Sequence, residues 1–315
     1  MLKAPIKQHG SALITALFIM TLVAIAATAM STRLQLDIYR TRVSIASDKL
    51  ILAGQVLQYW GFNELSNTEN KFLISDKSGK VAEFPAKLAA IYPAIAIKGA
   101  LYDLQGRFNL NNVSDKKYFI SFQELLKNTA NNLDQKLRNE LTMALSHWLM
   151  PYQPGLDAAI NLNYYLKLKP PYYPGQQLMQ NSSEFRLIMG VNAKIYRSMQ
   201  NYLTALPELT PININSASKP VLMSLGMGLN DSQVEELIEE RGKKGISDLN
   251  KLNPLLQKFN IRSEQVTIES QYFMTVAHLK SEDLGLNIYT ILKRKKDKNG
   301  KIKVSIVSES INTFD

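Results

Sequence analysis

The sequence predicts an α+β fold: one long N-terminal helix, a small antiparallel sheet, and an all-α domain that interrupts the sheet. Three observations carry this. No charged residue lies between Lys7 and Arg33, and apolar positions continue at helical spacing to Trp60. Strand-like runs occupy two separated intervals, near 94–104 and 272–307. Between them, from Phe119 to about Glu269, the pattern is one of helices and of loops broken by Pro and Gly.

The N-terminal element comes first. Ser11 to Ser31 is 21 residues without a charge. At 1.5 Å per residue that is a helix of roughly 30 Å, the thickness of a bilayer's hydrocarbon core. Lys3 and Lys7 precede it, and the positive-inside rule then places the N-terminus in the cytoplasm. The remainder is expected beyond the inner membrane. Two processing readings stand. A signal peptide would be cut after a small-x-small site such as Ala24-Ile25-Ala26 or Ala27-Thr28-Ala29. A cut at Gly10-Ser11 would leave the apolar helix in place. From Arg33 to Trp60 there is no Pro and a single Gly, Gly54, while Leu34, Ile38, Ile45, Leu50 and Leu57 are among the apolar positions.

Composition bounds the chemistry. The 315 residues are 45 % hydrophobic, enough for a true core beyond the helix. The net charge is +10, from 37 basic and 27 acidic residues. Such a balance suits nucleic acid, an anionic membrane or simple solubility. There is no Cys, which excludes disulfides and thiol chemistry. The three His (His9, His147, His278) are too dispersed for a zinc motif. Neither a Gly-x-Ser-x-Gly elbow nor a P-loop occurs, so no enzyme is expected.

The elements then follow in order. Turn formers fill Gly61 to Pro93, including Asp76-Lys77-Ser78-Gly79. Ala94–Ile97 and Ala100–Leu104 read as two strand-like runs. Gly106-Arg107-Phe108-Asn109-Leu110-Asn111 reads as a strand running into an Asn-rich turn. Ser121 and Glu124 have capping-box spacing ahead of Leu125. Leu133, Leu137, Leu141, Leu145 and Trp148 recur at helical spacing. Pro151 to Gly175 reads as a long loop, and Tyr152, Tyr164, Tyr165, Tyr172 and Tyr173 can hold it by packing on the helices. Helical signals resume from Ser182 to Val191.

Pro211 to Gly228 resembles one half of a helix-hairpin-helix. Asn215 or Ser216 is the expected N-cap of a helix ending near Leu225, Gly226-Met227-Gly228 the turn, and Asp231–Arg241 the second helix. Such hairpins bind DNA through backbone N–H groups. Here Glu235, Glu236, Glu239 and Glu240 would repel phosphate, which favours a packing module or protein interface over nucleic acid. Strands return after Gln265. Asn299-Gly300 predicts a type I′ hairpin, and Lys293, Arg294, Lys295, Lys296, Lys298, Lys301 and Lys303 read as a solvated turn, with anionic lipid or a partner as alternatives.

A short basic leader ending in Gly10, followed by this uninterrupted helix, resembles a type IV prepilin. The resemblance implies cleavage after Gly10 by a prepilin peptidase and methylation of the Ser11 amine. Major pilins carry Glu at the fifth mature position, where this chain has Thr15. Its absence, with Gly106–Asn111 and the Ile212-Asn-Ile-Asn-Ser216 pattern, resembles the minor pseudopilin K family of type II secretion. That resemblance implies a pilin-like fold whose sheet is interrupted by an inserted all-α domain with helix-hairpin-helix-like units. The implied boundaries are 1–10 leader, 11–62 transmembrane and amphipathic helix, 63–112 first part of the body, 113–268 helical insert and 269–315 C-terminal strands. It implies a place at the pseudopilus tip, with the I and J minor pseudopilins, other pseudopilins and the inner-membrane assembly platform as partners. It also associates calcium with the helical domain, but the stretch after Trp148 is nearly free of acid, leaving Asp157 and Glu184 as candidate ligands. A membrane-anchored DNA-uptake protein and a minor type IV pilin are the alternatives.

Overall fold

The computed structural model describes residues 11–76, 78–130, 133–151, 158–281 and 284–312. Helix α1 spans Ser11–Ser66, four residues beyond the expected end. Strand β1 (Lys80–Glu83), the short helix α2 (Ala86–Ala89) and β2 (Ala96–Asp103) follow. The two strand-like runs expected near 94–104 are thus one strand, in which Gly99, lacking a Cβ, leaves room for Leu57 of α1.

After β3 (Phe108–Asn109) the chain turns helical: α3 (Phe119–Thr129), α4 (Gln135–Leu149), α5 (Ala158–Leu166) and α6 (Ala193–Met199). Next are β4 (Leu203–Thr204), β5 (Ile212–Asn213), α7 (Lys219–Leu222), α8 (Asp231–Arg241), α9 (Asn253–Lys258) and β6 (Val266–Thr267). The chain closes on β7 (Tyr272–Ser281), β8 (Leu284–Lys296) and β9 (Ile302–Ile311).

The main sheet runs β1-β2-β7-β8-β9 and is antiparallel throughout. Strands β2 and β7 pair over eight residues, Ala96 to Asp103 against Lys280 to Phe273, although the helical interval separates them in sequence. The distal half of α1 lies on one face of this sheet. Its buried positions, Leu50, Ala53, Gly54, Leu57, Trp60, Gly61 and Leu65, keep the three- and four-residue spacing of a single helical stripe. They pack on Leu101, Phe273, Ala277 and Leu292. Gly54 and Gly61 permit the close approach: a Cβ at either would run into Ile288 or Thr275. The helical domain has its own core, in which Phe108, Phe122, Leu145, Phe185, Leu222 and Leu237 are all fully buried.

Several local expectations are corrected. Ser121 and Glu124 form no capping box. Helix α3 starts two residues earlier, fed by a 3-10 turn over Lys116–Tyr118 that Asp115 caps, and Ser121 is buried within it. The expected loop from Pro151 to Gly175 contains α5. Its aromatic cluster comprises Trp148, Tyr164, Tyr165 and Tyr172, whereas Tyr173 is exposed and Tyr152 lies outside the described residues. Burial pushes the Tyr165 hydroxyl up to about 12, against the Met189 N–H that donates to it. Ser182–Leu187 is a 3-10 turn with Asn181 and Glu184 as its capping box.

The hairpin at Asn299-Gly300 is not type I′. Only Gly300 has positive φ, and Asp297 N–H donates to the Lys301 carbonyl, which is a three-residue loop with a type I turn and a bulge. Asp297 favours it by accepting from the Asn299 and Lys301 N–H groups.

Candidate assembly site

The long helix divides into two unequal environments. Every residue from Ser11 to Arg42 is exposed, with Leu13, Ile14, Phe18, Ile25 and Met30 well over half so. The apolar part is hydrophobic all round, which suits lipid or the stems of other helices rather than water. Its threonine hydroxyls need no outside partner. Thr15 Oγ1 donates to the Ser11 carbonyl at 2.5 Å, Thr28 to Ala24 at 2.8 Å and Thr32 to Thr28 at 3.0 Å. Thr15 therefore satisfies itself within the helix, as an ionised carboxylate at that position could not. Ser11 is the first helical residue, and Gly10 lies outside the described residues.

The other end of the helix is clamped. Arg294, expected in a solvated basic turn, is buried: its Nε donates to the Leu65 carbonyl at 2.8 Å and its Nη2 to Asn67 and Asn70 at 3.0 and 2.8 Å. A cation on the last carbonyls both fills their acceptors and complements the helix dipole. Lys293 is also engaged, with Glu208 at 2.6 Å. The basic hairpin therefore sits at the end of α1 farthest from its apolar start.

A buried polar seam joins the sheet to the helical domain. Asp103, at the end of β2, is fully buried. Its carboxylate accepts from Ser216 Oγ (2.6 Å), Ser270 Oγ (2.7 Å), Asn213 Nδ2 (2.9 Å) and the Gln105 N–H (2.8 Å). Burial pushes its pKa above the ordinary value, and these donors oppose the shift. Around it stand two Asn-x-Asn turns. Asn109 Oδ1 accepts from Asn111 N–H, and Asn213 Oδ1 from Asn215 N–H. Asn111 and Asn215 each accept one backbone N–H and donate to two backbone carbonyls. Neither Asn215 nor Ser216 caps α7, as expected from sequence, because both side chains are engaged in this seam. Ser218 takes the N-cap position.

Helix α8 spans the expected Asp231–Arg241 and is capped by Asn230. Three of its acids face lysines: Asp231 and Glu235 hold Lys219 at 2.7 and 2.8 Å, and Glu236 holds Lys258 at 2.7 Å. These cations, which a DNA-binding hairpin would offer to phosphate, are neutralised. The geometry seen is a one-turn helix, a double-glycine turn and an eleven-residue helix, and the likeness to a helix-hairpin-helix goes no further.

The calcium candidates do not come together. Glu184 Oε1 accepts from the Gln180 and Asn181 N–H groups, and Asp157 lies outside the described residues. Among the described residues no three His, Asp or Glu side chains form a group that could hold a metal. The described residues therefore do not fit a calcium cage built on carboxylates.

Sequence reasoning missed Asp103 and Arg294. A lone acid ending a strand and one Arg inside a Lys run carry no local signal of burial.

Two family models, each described as type II secretion system (T2SS), protein K, match residues 106–208 and 212–269, together just over half of the chain. A type II secretion system protein K of Pseudomonas aeruginosa is 28% identical over 210 residues, 64% of this chain and 61% of that protein. The matched stretch thus spans about three-fifths of that relative's length. One from Pectobacterium carotovorum is 24% identical over 307 residues, 88% of this chain and 90% of that protein. The fold resembles a chain in the crystal structure of the GspK-GspI-GspJ complex from the enterotoxigenic Escherichia coli type 2 secretion system. The TM-score is 0.70 at 19% identity, over 87% of this chain and 99% of that one. Both halves of the seam, Gly106–Asn112 and Ile212–Ser216, fall within the matched segments, and the chain belongs to the protein K family of type II secretion systems.

Proposed function

We propose that this chain is a minor pseudopilin that sits at the tip of the pseudopilus and initiates its assembly for export of folded proteins. The single observation that carries this is the division of α1. Its first 32 residues, Ser11 to Arg42, are all exposed, whereas its last turns are fixed to the sheet. A stem bare on every side is built to enter lipid and then a bundle of similar stems. The leader is cut at Gly10-Ser11 by a prepilin peptidase, and the Ser11 amine is methylated. The N-terminus is cytoplasmic and the body periplasmic. The inner-membrane platform and the I and J minor pseudopilins are its partners, the last two being the companions named for the solved complex. The role is structural rather than catalytic. The bulk of the helical insert makes the subunit hard to place within a fibre and favours the end. The implied divisions of the chain at 10, 62, 112 and 268 belong to this reading.

The test is the N-terminal residue of the membrane-extracted protein, by intact mass and peptide sequencing. A start at Ser11, with or without a methyl group, is expected. A start near Met30 would leave a soluble periplasmic protein and end the tip reading. Thr15→Glu is expected to impair secretion, because the new carboxylate has no partner in lipid. Normal secretion by that variant would remove any role for Thr15.

A further inference from the structure

One arginine in the seam has no hydrogen-bond partner among the described residues. Arg107 follows the turn after β2 and is half-buried. Among the described residues its guanidinium makes no hydrogen bond or ion pair, although Asp103 is close enough to attract it. Asp103 makes no direct hydrogen bond to it, because its oxygens already accept from four donors. Withdrawal from water depresses the Arg107 pKa, so the charge is held at a cost. The side chain lines a cleft of about 490 Å³ where the helical domain meets the sheet, on the face opposite α1. The other walls are mixed: Ser216, Ser218 and Asn201 are polar, while Met274 and Val276 are apolar. The Ser218 hydroxyl makes no capping bond to α7.

We propose that this cleft is a binding site for a monoanionic carboxylate carried on an apolar stem, with Arg107 as its bidentate partner. The planar guanidinium matches a carboxylate's two oxygens. One cation beside a buried carboxylate disfavours a dianion such as phosphate. The volume far exceeds a small tetrahedral anion, and the apolar wall suits the methylenes of an acidic side chain. The chemistry can arrive as a Glu or Asp of another polypeptide or as a free small acid. The site stands independently of the tip reading, since it concerns the body alone.

The experiment follows the Arg107 Nε–H resonance of the full-length protein in detergent micelles, assigned by its loss in Arg107→Lys. The probes are N-acetyl-glutamate amide, its glutamine counterpart, butyrate and inorganic phosphate. Saturable shifts with the blocked glutamate and none with the glutamine analogue are expected. Binding of the blocked glutamate, followed in parallel by saturation-transfer signals of the probe, should weaken about tenfold or more in Arg107→Met. Tighter binding of the blocked glutamate identifies a polypeptide source, and tighter binding of butyrate a small acid. Equal response to the glutamine analogue, stronger binding of phosphate, or no saturable binding by either carboxylate overturns the proposal. The glutamine comparison uses the unmodified chain, so it holds even where Arg107→Met folds poorly.

Discussion

Residues 108–112 and 212–216 are two copies of one device. Each begins as a two-residue strand in parallel pairing, Phe108-Asn109 with Leu203-Thr204 and Ile212-Asn213 with Val266-Thr267. In each, the first Asn closes a turn on the N–H two residues later, and the second Asn is fixed by three backbone groups. Asn111 binds both the N–H and carbonyl of Met179 and the Leu206 carbonyl. Asn215 binds both groups of Ile246 and the Ile268 carbonyl. The copies differ in where the first amide points. Asn109 Nδ2 donates to the Glu208 carbonyl and Thr210 Oγ1, within the helical domain. Asn213 Nδ2 donates to Asp103 and Ser270, at the border with the sheet. The same fragment thus holds a loop in place in one copy and joins two bodies in the other. The neighbour it meets, not the fragment, sets its role.

The comparison breaks most sharply at the second asparagines. Asn111→Ala and Asn215→Ala each leave buried backbone groups unpaired and are expected to cost about 3 kcal/mol. Urea unfolding of the detergent-extracted protein measures this, and a cost at one position below a third of the other would undo the equivalence. Asp103→Ala should come next, at about 2 kcal/mol, since it strands the donors of Asn213, Ser216 and Ser270. Amide exchange should quicken along β7 in that variant but not in Asn111→Ala. Removing the helix clamp by Arg294→Met should cost about 1–2 kcal/mol and speed exchange in the last turns of α1.

The smallest effect is at the rim. Glu208 links the first copy to the sheet through Tyr272 Oη (2.8 Å) and Lys293 Nζ (2.6 Å). Hydrogen bonding from Lys293 holds its pKa below the ordinary value. Its contribution is therefore full above the ordinary glutamate range and is lost as pH falls through the depressed value. With half the side chain exposed, the loss should be a few tenths of a kcal/mol. Glu208→Gln should flatten that part of the stability–pH profile and leave the neutral-pH value nearly unchanged.

Much of this was legible in the sequence, for physical reasons. The uncharged run after Ser11, the strand-forming apolar runs of β7 and β8, and the bounds of α8 are local signals of composition, period and charge. The long apolar stem in particular needed only length and composition. What was not legible is long-range satisfaction. Asn215 and Ser216 looked like helix caps because that is their commonest local use. Only the fold brings Asp103 to Ser216 and Ile246 to Asn215. Arg294 was read with its lysine neighbours, since nothing nearby in sequence announces the free carbonyls of a helix ending at Ser66.

The notch made by Gly54 and Gly61, with Arg294 locking the far end, has a mechanical consequence. Helix and sheet form one stiff lever about 84 Å long, with its load at one end and its grip at the other. A lift or twist imposed on the bare stem reaches the body without slack, because no hinge lies between the two within α1. Such a part delivers displacement rather than absorbing it.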